Sequence, residues 1–324
     1  LTLAPPGVNP EPSPAIEERS VAQDAFTKRL VAAAQEVERT LDRLLKPEIS
    51  PGEQARPARL LAAMRYSALD GGKRLRPFLL IESAALFGAQ GEGVLRAACA
   101  LEMVHCYSLI HDDLPTMDDD DLRRGRPTNH RAFDEATAIL AGDSLLTYAF
   151  DVMADAATHP DAQVRCELTL GLARAAGLGG MAGGQMLDLA AEASGETLSR
   201  EQIALLQAMK TGALLRFAAE AGAIHGGAGA QERAALVAYG RALGQAFQIA
   251  DDILDAEGDE AAMGKRVAKD AGRNKGTLVG ALGLAAARAL RDDLAQQAVD
   301  ALAPFGARGG VLAAAARFTA QRAH

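Results

Sequence analysis

The sequence predicts an all-α protein, and three observations carry that prediction. Ala and Leu dominate, aromatic residues make up only 4% and tryptophan is absent, whereas strands favour β-branched and aromatic side chains. Apolar residues recur at helical spacing in one segment after another, as Phe26, Leu30, Val37, Leu41 and Leu44 do near the start. No stretch shows the strict alternation of a half-buried strand. With 49% hydrophobic and 23% charged residues over 324 positions, the chain can bury a large core. The reading is one helical domain over residues 21–324, preceded by a disordered Pro-rich tail over residues 1–20.

Charge and cysteine content narrow the class. A net charge of -8 argues against nucleic acid, which calls for a basic face. The three cysteines, Cys99, Cys106 and Cys166, lack framework spacing and lie in apolar helical runs. They read as core fillers in a reducing, cytoplasmic setting. No uncharged apolar run reaches transmembrane length, and residues 1–20 have no charged-then-apolar leader pattern.

Taken in order, the first helix covers about Ser20 to Lys46 and is ended by Pro47 and Pro51. The second begins near Pro57 and ends at Gly71-Gly72. The run Gly71-Gly72-Lys73-Arg74-Leu75-Arg76-Pro77 then puts three cations beside a glycine pair. Exposed backbone amides next to cations suit a phosphate cradle, and a basic turn between helices is the competing reading.

A mostly apolar helix from Val94 delivers Asp112 and Asp113 at its C-terminal end, where the dipole is unfavourable for anions. Pro115 stops it. Six aspartates fall within residues 112–121, followed by Arg123-Arg124. Carboxylates so crowded raise one another's pKa unless a cation holds them. Oxygen-only donors suit a hard ion such as Mg²⁺, with Mn²⁺ an acceptable substitute, bridging carboxylates to phosphate. The adjacent guanidinium groups suit the phosphate itself. An acidic surface loop is the alternative.

Further helices follow over about Asp134–Met153 and Ala162–Ala176. The glycine-dense run from Gly177 to Gly184 continues into helical spacing, which points to close packing on a neighbour. There Gln185 and Asp188 share a face. Within the helix from about Arg200 to Gly222, Lys210-Thr211-Gly212 interrupts an apolar run, and a buried Lys and Thr need partners. A helix from about Gln231 to Ala256 ends in Gln248-Ile249-Ala250-Asp251-Asp252-Ile253-Leu254-Asp255. Its acids occupy one face near a helix end, again the unfavourable one. Cations follow at Lys265, Arg273 and Lys275, and Ala/Leu-rich helix continues from Leu278.

The motifs GGKRLRP, HDDLPTMDDDDLRRGRPTNH, GGMAGGQMLDL, KTGAL and GQAFQIADDILD, in that order, make the chain resemble the short-chain trans-prenyltransferases of the polyprenyl synthetase family. The resemblance spans about residue 25 to the C-terminus. It implies an isoprenoid-synthase-type antiparallel helical bundle around a central cavity, usually a homodimer. It implies that Asp112, Asp113 and Asp118 face Asp251, Asp252 and Asp255 and hold several Mg²⁺ ions on an allylic diphosphate. Arg123, Lys210, Lys265 and Lys275 match positions gripping that diphosphate. Gly72, Lys73, Arg76, His105 and Arg124 match the site for isopentenyl diphosphate. Thr211 and Gln248 match residues beside the developing carbocation, Gln185 matches a family position, and Asp188 would orient Lys210. His111 is a neighbour of the metal site or simply a polar neighbour. Tyr107, with small Ser108 beside it, matches the cavity floor that stops growth at fifteen carbons. A farnesyl diphosphate synthase is therefore expected, with a geranylgeranyl diphosphate synthase as the rival. A non-catalytic partner subunit fits less well, since both aspartate motifs are intact. The C-terminal Arg322-Ala323-His324 departs from the basic tail of some members.

Overall fold

A computed structural model of the chain describes residues 14–195, 197–262 and 277–320. Its central element is α4 (Glu92–Asp112), on which α3 (Leu75–Ala85), α6 (Glu135–Ala154) and α10 (Ala213–His225) pack. Helix α4 is long and apolar enough to span a membrane, yet 67% of its apolar window is buried inside the protein. It is therefore a core helix, which explains apolar residues on every side.

The long α1 (Pro14–Leu44) lays Phe26, Val37 and Leu41 into the core, as its spacing predicts. It begins at Pro14, inside the segment expected to be tail. Helix α2 (Ala58–Ala68) and the short α5 (Asn129–Ala132) flank α6. Then come α7 (Ala162–Ala176), α8 (Met181–Ser194) and α9 (Arg200–Gln207). The longest helix, α11 (Ala230–Ala262), packs on α10 and on α13 (Leu284–Ala301). Helices α12 (Leu278–Leu282) and α14 (Gly310–Ala320) complete the described bundle.

Several starts are fixed by side chains that satisfy free amides. Asp134 accepts from the Thr137 amide at 2.7 Å. Ser199 and Gln202 form a reciprocal capping box at α9. Phe26 meets Phe78 edge-on at 5.3 Å and Phe318 at 5.0 Å, tying α1, α3 and α14 into one apolar cluster.

Three local expectations change. A two-stranded ribbon, β1 (Leu122–Arg123) with β2 (Arg126–Pro127), stands where no strand was expected; it is too short to show alternation. The helix expected over Arg200–Gly222 contains a π-turn at Ala208–Gly212. Cys99 and Cys106 are buried, but Cys166 is exposed on α7, so only two of the three cysteines fill the core.

Candidate active site

The first aspartate motif is built by the end of α4 and the turn beyond it. After Pro115 the chain folds back, so that the Asp118 amide donates to the Asp112 carbonyl at 2.8 Å. That bond brings the two acids together. Thr128 clamps the far end of the loop through its hydroxyl to the Asp120 carbonyl at 2.8 Å and its amide to the Asp121 carbonyl at 3.0 Å. Burial, opposed by Lys210 and reinforced by Asp118 and Asp113, pushes the Asp112 carboxyl up to about 6. Asp113 is buried and takes a guanidinium fork from Arg123, with contacts of 2.7 and 2.8 Å.

The second motif lies on α11, which continues to Ala262, so its acids stand within the helix and not near the end expected at about Ala256. Asp252 is buried, and burial raises its pKa. Its carboxylate accepts from the Gln207 amide at 2.8 Å and from the Gln248 amide at 3.1 Å. Asp251 is half-buried and Asp255 exposed on the same helix. Gln207 was not legible as a site residue: it is a single amide on α9 with no motif around it.

The π-turn joins the two motifs. Its wider winding carries Lys210 and Thr211 side by side, and such turns recur at functional positions. Lys210 donates to Asp188 on α8 at 2.6 Å, and the Thr211 hydroxyl donates to Gln248 Oε1 at 2.7 Å. Hydrogen bonds thus run from Thr211 to Gln248 and on to Asp252, while Lys210 lines the same cavity as Asp112. The glycine-dense run makes this approach possible. A Cβ at Gly184 would stand 2.2 Å from the Lys210 backbone nitrogen, so no side chain fits there. Close packing is the reason for Gly184, as expected, and the neighbour is the site itself, whereas a Cβ at Gly179 would meet nothing.

Two adjacent cavities open on this framework. One, of about 370 Å³, is lined by Asp112, Lys210, Thr211, Tyr107, Ser108 and Gln185, among others. Gln185 contributes a buried Oε1 with no hydrogen-bond partner. Tyr107 lies on α4 with its ring edge-on to His111 at 5.7 Å, and Met181, Met186 and Leu189 line the same wall. The second cavity, of about 340 Å³, is lined by Gly72, Lys73, Arg76, His105, Arg124 and Phe318, among others. Arg76 and His105 belong to both walls, with 3.4 Å between Arg76 Nη1 and His105 Nε2. Burial, then the charge of Arg76, holds the His105 pKa well below its usual value, so the ring is neutral.

The basic turn separates into two roles that the sequence could not distinguish. Lys73 and Arg76 reach the second cavity, with Lys73 also 5.8 Å from the Phe318 ring centroid. Arg74 turns inward, with φ of 47°, and binds Glu102 at 2.8 Å and Glu38 at 2.7 Å. His111 lines the same cavity as Asp112, with its Nε2 3.1 Å from the Ile139 carbonyl on α6. Lys265, Lys275 and the Arg322–His324 end lie outside the described residues.

Among the described residues, no three acidic, histidine or cysteine side chains form one metal-holding group. The donor set still fits a hard divalent ion. The donors are carboxylate oxygens, and at Asp112 the carboxylates of Asp113 and Asp118 act on a side chain whose pKa burial already raises.

A mainly helical bundle with two aspartate motifs, a lysine-bearing π-turn between them and a cationic cavity beside a partly apolar one suits a ligand that is anionic at one end and apolar at the other. The chain belongs to the polyprenyl synthetase family, whose family model matches residues 57–302. It is 49% identical over 235 residues to a farnesyl diphosphate synthase of Geobacillus stearothermophilus, covering 72% of this chain and 78% of the relative. It is 42% identical to geranylgeranyl pyrophosphate synthase 9, chloroplastic, of Arabidopsis thaliana, covering 77% of this chain and 70% of that one. The crystal structure of a FPP/GFPP synthase from Zymomonas mobilis superposes with a TM-score of 0.82 at 42% identity, covering 91% and 99% of the two chains.

Proposed function

We propose that this chain is a farnesyl diphosphate synthase, condensing isopentenyl diphosphate head-to-tail with dimethylallyl and then geranyl diphosphate. The observation that carries the reading is the pair of cavities sharing Arg76 and His105. One has an acidic mouth and an apolar wall for an allylic diphosphate, and the other is lined by cations for a second diphosphate.

The chemistry follows from the side chains. Lys210, oriented by Asp188, and Arg123 grip the allylic diphosphate as its C–O bond breaks and the electron pair leaves with it. Asp112, Asp113, Asp118, Asp251, Asp252 and Asp255 would hold Mg²⁺, or Mn²⁺ in its place, which would supply positive charge against the leaving group. Thr211 donates its hydroxyl hydrogen bond to Gln248, leaving its oxygen lone pairs to steady positive charge on the allylic carbon. Lys73, Arg76 and Arg124 hold isopentenyl diphosphate beside it, with neutral His105 as a polar contact. Its C=C attacks to form the new C–C bond, and the proton lost goes to the departed diphosphate. No covalent nucleophile is required. Tyr107 closes the cavity below the reacting end and limits the chain to fifteen carbons.

A homodimer in the cytoplasm completes the reading. Ile139 and Leu140 on α6 and Leu170 on α7 are exposed apolar side chains that a second copy would cover, and all three cysteines are free thiols. The test is incubation with radiolabelled isopentenyl diphosphate, Mg²⁺ and a panel of allylic starters, followed by chromatography of the dephosphorylated products. Fifteen-carbon product is expected, and Tyr107→Ala should lengthen it. Absence of incorporation would overturn the enzyme; a dominant twenty-carbon product would assign a geranylgeranyl diphosphate synthase instead.

A further inference from the structure

Arg124 reaches the cationic cavity from the turn of the β1–β2 ribbon, and its position needs a cause. The turn residues Arg124 and Gly125 both have positive φ, 53° and 77°, which closes a tight two-residue hairpin. Each strand is only two residues long, and a ribbon that short is not stable by itself. Its place is therefore set by what it docks against. On one side Arg123 is bound to Asp113. The other side is held by α2 and the residues just after it, and none of these has a role in the chemistry above.

Arg126, on β2, forms an ion pair with Asp70, and its guanidinium lies 4.2 Å from the centre of the Tyr66 ring. The Tyr66 hydroxyl donates to the Pro127 carbonyl at 2.8 Å. Asp70 immediately precedes the glycine pair, and Arg124 donates to the Gly71 carbonyl at 2.7 Å. A Cβ at Gly72 would meet the Arg124 guanidinium at 2.6 Å. Asp70 thus meets the hairpin twice: its carboxylate holds Arg126, and its carbonyl lies 3.4 Å from Arg124 Nη1.

We propose that Asp70, Arg126 and Tyr66 form a clamp that positions Arg124 over the Gly71-Gly72 turn and thereby sets the affinity for isopentenyl diphosphate. The clamp touches no reacting atom, so these are positioning residues. The inference rests on the assignment of the cationic cavity to isopentenyl diphosphate. Arg126 is 46% exposed and Asp70 16%, and an ion pair that solvent still reaches on the guanidinium side adds little to folding stability. Its effect should appear in substrate capture and not in the melting temperature.

The experiment measures KM for isopentenyl diphosphate, KM for geranyl diphosphate, kcat and Tm in Arg126→Ala, Asp70→Asn, the double variant and Arg124→Ala. Removing either clamp partner should raise the isopentenyl diphosphate KM about three- to fivefold, with the other constants changed by less than about twofold. The double variant should be no worse than Arg126→Ala alone, because the two side chains act as a unit. Arg126→Lys, which keeps the charge but loses the flat face over Tyr66, should fall between. Parallel changes in both KM values, an unchanged isopentenyl diphosphate KM, or strict additivity would overturn the clamp. Arg124→Ala separates the two levels of the argument. If it raises the isopentenyl diphosphate KM while Arg126→Ala does not, only the clamp falls; if it leaves that KM unchanged, the cavity assignment falls and the clamp with it.

Discussion

The buried acids Asp113 and Asp252 occupy equivalent places in the two aspartate motifs, yet the fold holds them by opposite means. Asp113 is paired with a guanidinium fork, so its charge is cancelled on the spot. Asp252 receives two neutral amides, from Gln207 and Gln248, which orient the carboxylate and leave its charge intact. A cation arriving at the first motif therefore competes with Arg123, whereas at the second it meets a preset anion. The first motif pairs charge with charge; the second aims dipoles at a charge.

The largest expected effect tests the premise that crowded acids exist here for turnover and against stability. Asp112→Asn should cut kcat on the order of a thousandfold in saturating Mg²⁺, read by label incorporation. The same change should raise the Tm of the metal-free protein at pH 7. Folded Asp112 keeps its proton up to about pH 6, against a reference of 3.8. The native state therefore binds more protons than the unfolded one between those values, and stability falls as pH rises through that window. Asparagine removes the loss, so the Tm gain should vanish at pH 4; a gain equal at both pH values breaks the argument.

Arg123→Ala comes next. It removes a grip on the substrate and leaves Asp113 buried without its partner, so activity should fall about a hundredfold and stability by about 2 kcal/mol. Circular-dichroism melts and initial rates check both. Gly184→Ala probes the turn that joins the motifs: a methyl 2.2 Å from the Lys210 nitrogen should cost about 2 kcal/mol of stability and lower kcat. Gln207→Leu is the mildest change. Loss of one neutral donor from Asp252 should lower activity about fivefold, well short of the Arg123 effect. Equal losses in the two would erase the distinction between the motifs.

Much of this was legible from the chain. The acids at the end of α4 and the Lys210-Thr211 interruption of an apolar run each violate the ordinary habits of helices, and a violation is visible in sequence. The parts that stayed hidden obey ordinary habits. Arg74 reads like its neighbours Lys73 and Arg76, and only the left-handed backbone at its own position turns it into the core. Gln207 is an unremarked amide until α9 and α11 meet. Cys166 sits in an apolar helix whose outer face is uncovered. His111, next to the acids in sequence, leans on α6 because its neighbour Gly142 leaves room there. The ribbon gave one short-range clue, Arg124-Gly125, but two-residue strands carry no periodicity to find.

The π-turn at Ala208–Gly212 has a consequence for how this gene can change length. A helix that houses one surplus residue has a built-in tolerance that its neighbours lack. Excising a single codon there would restore ordinary winding and keep the flanking segments close to their present facing. The ammonium of Lys210 would then be carried off its bearing while the hydrophobic seam of α10 could re-seat. Shortened descendants of this chain at that point are expected to fold and to be chemically silent.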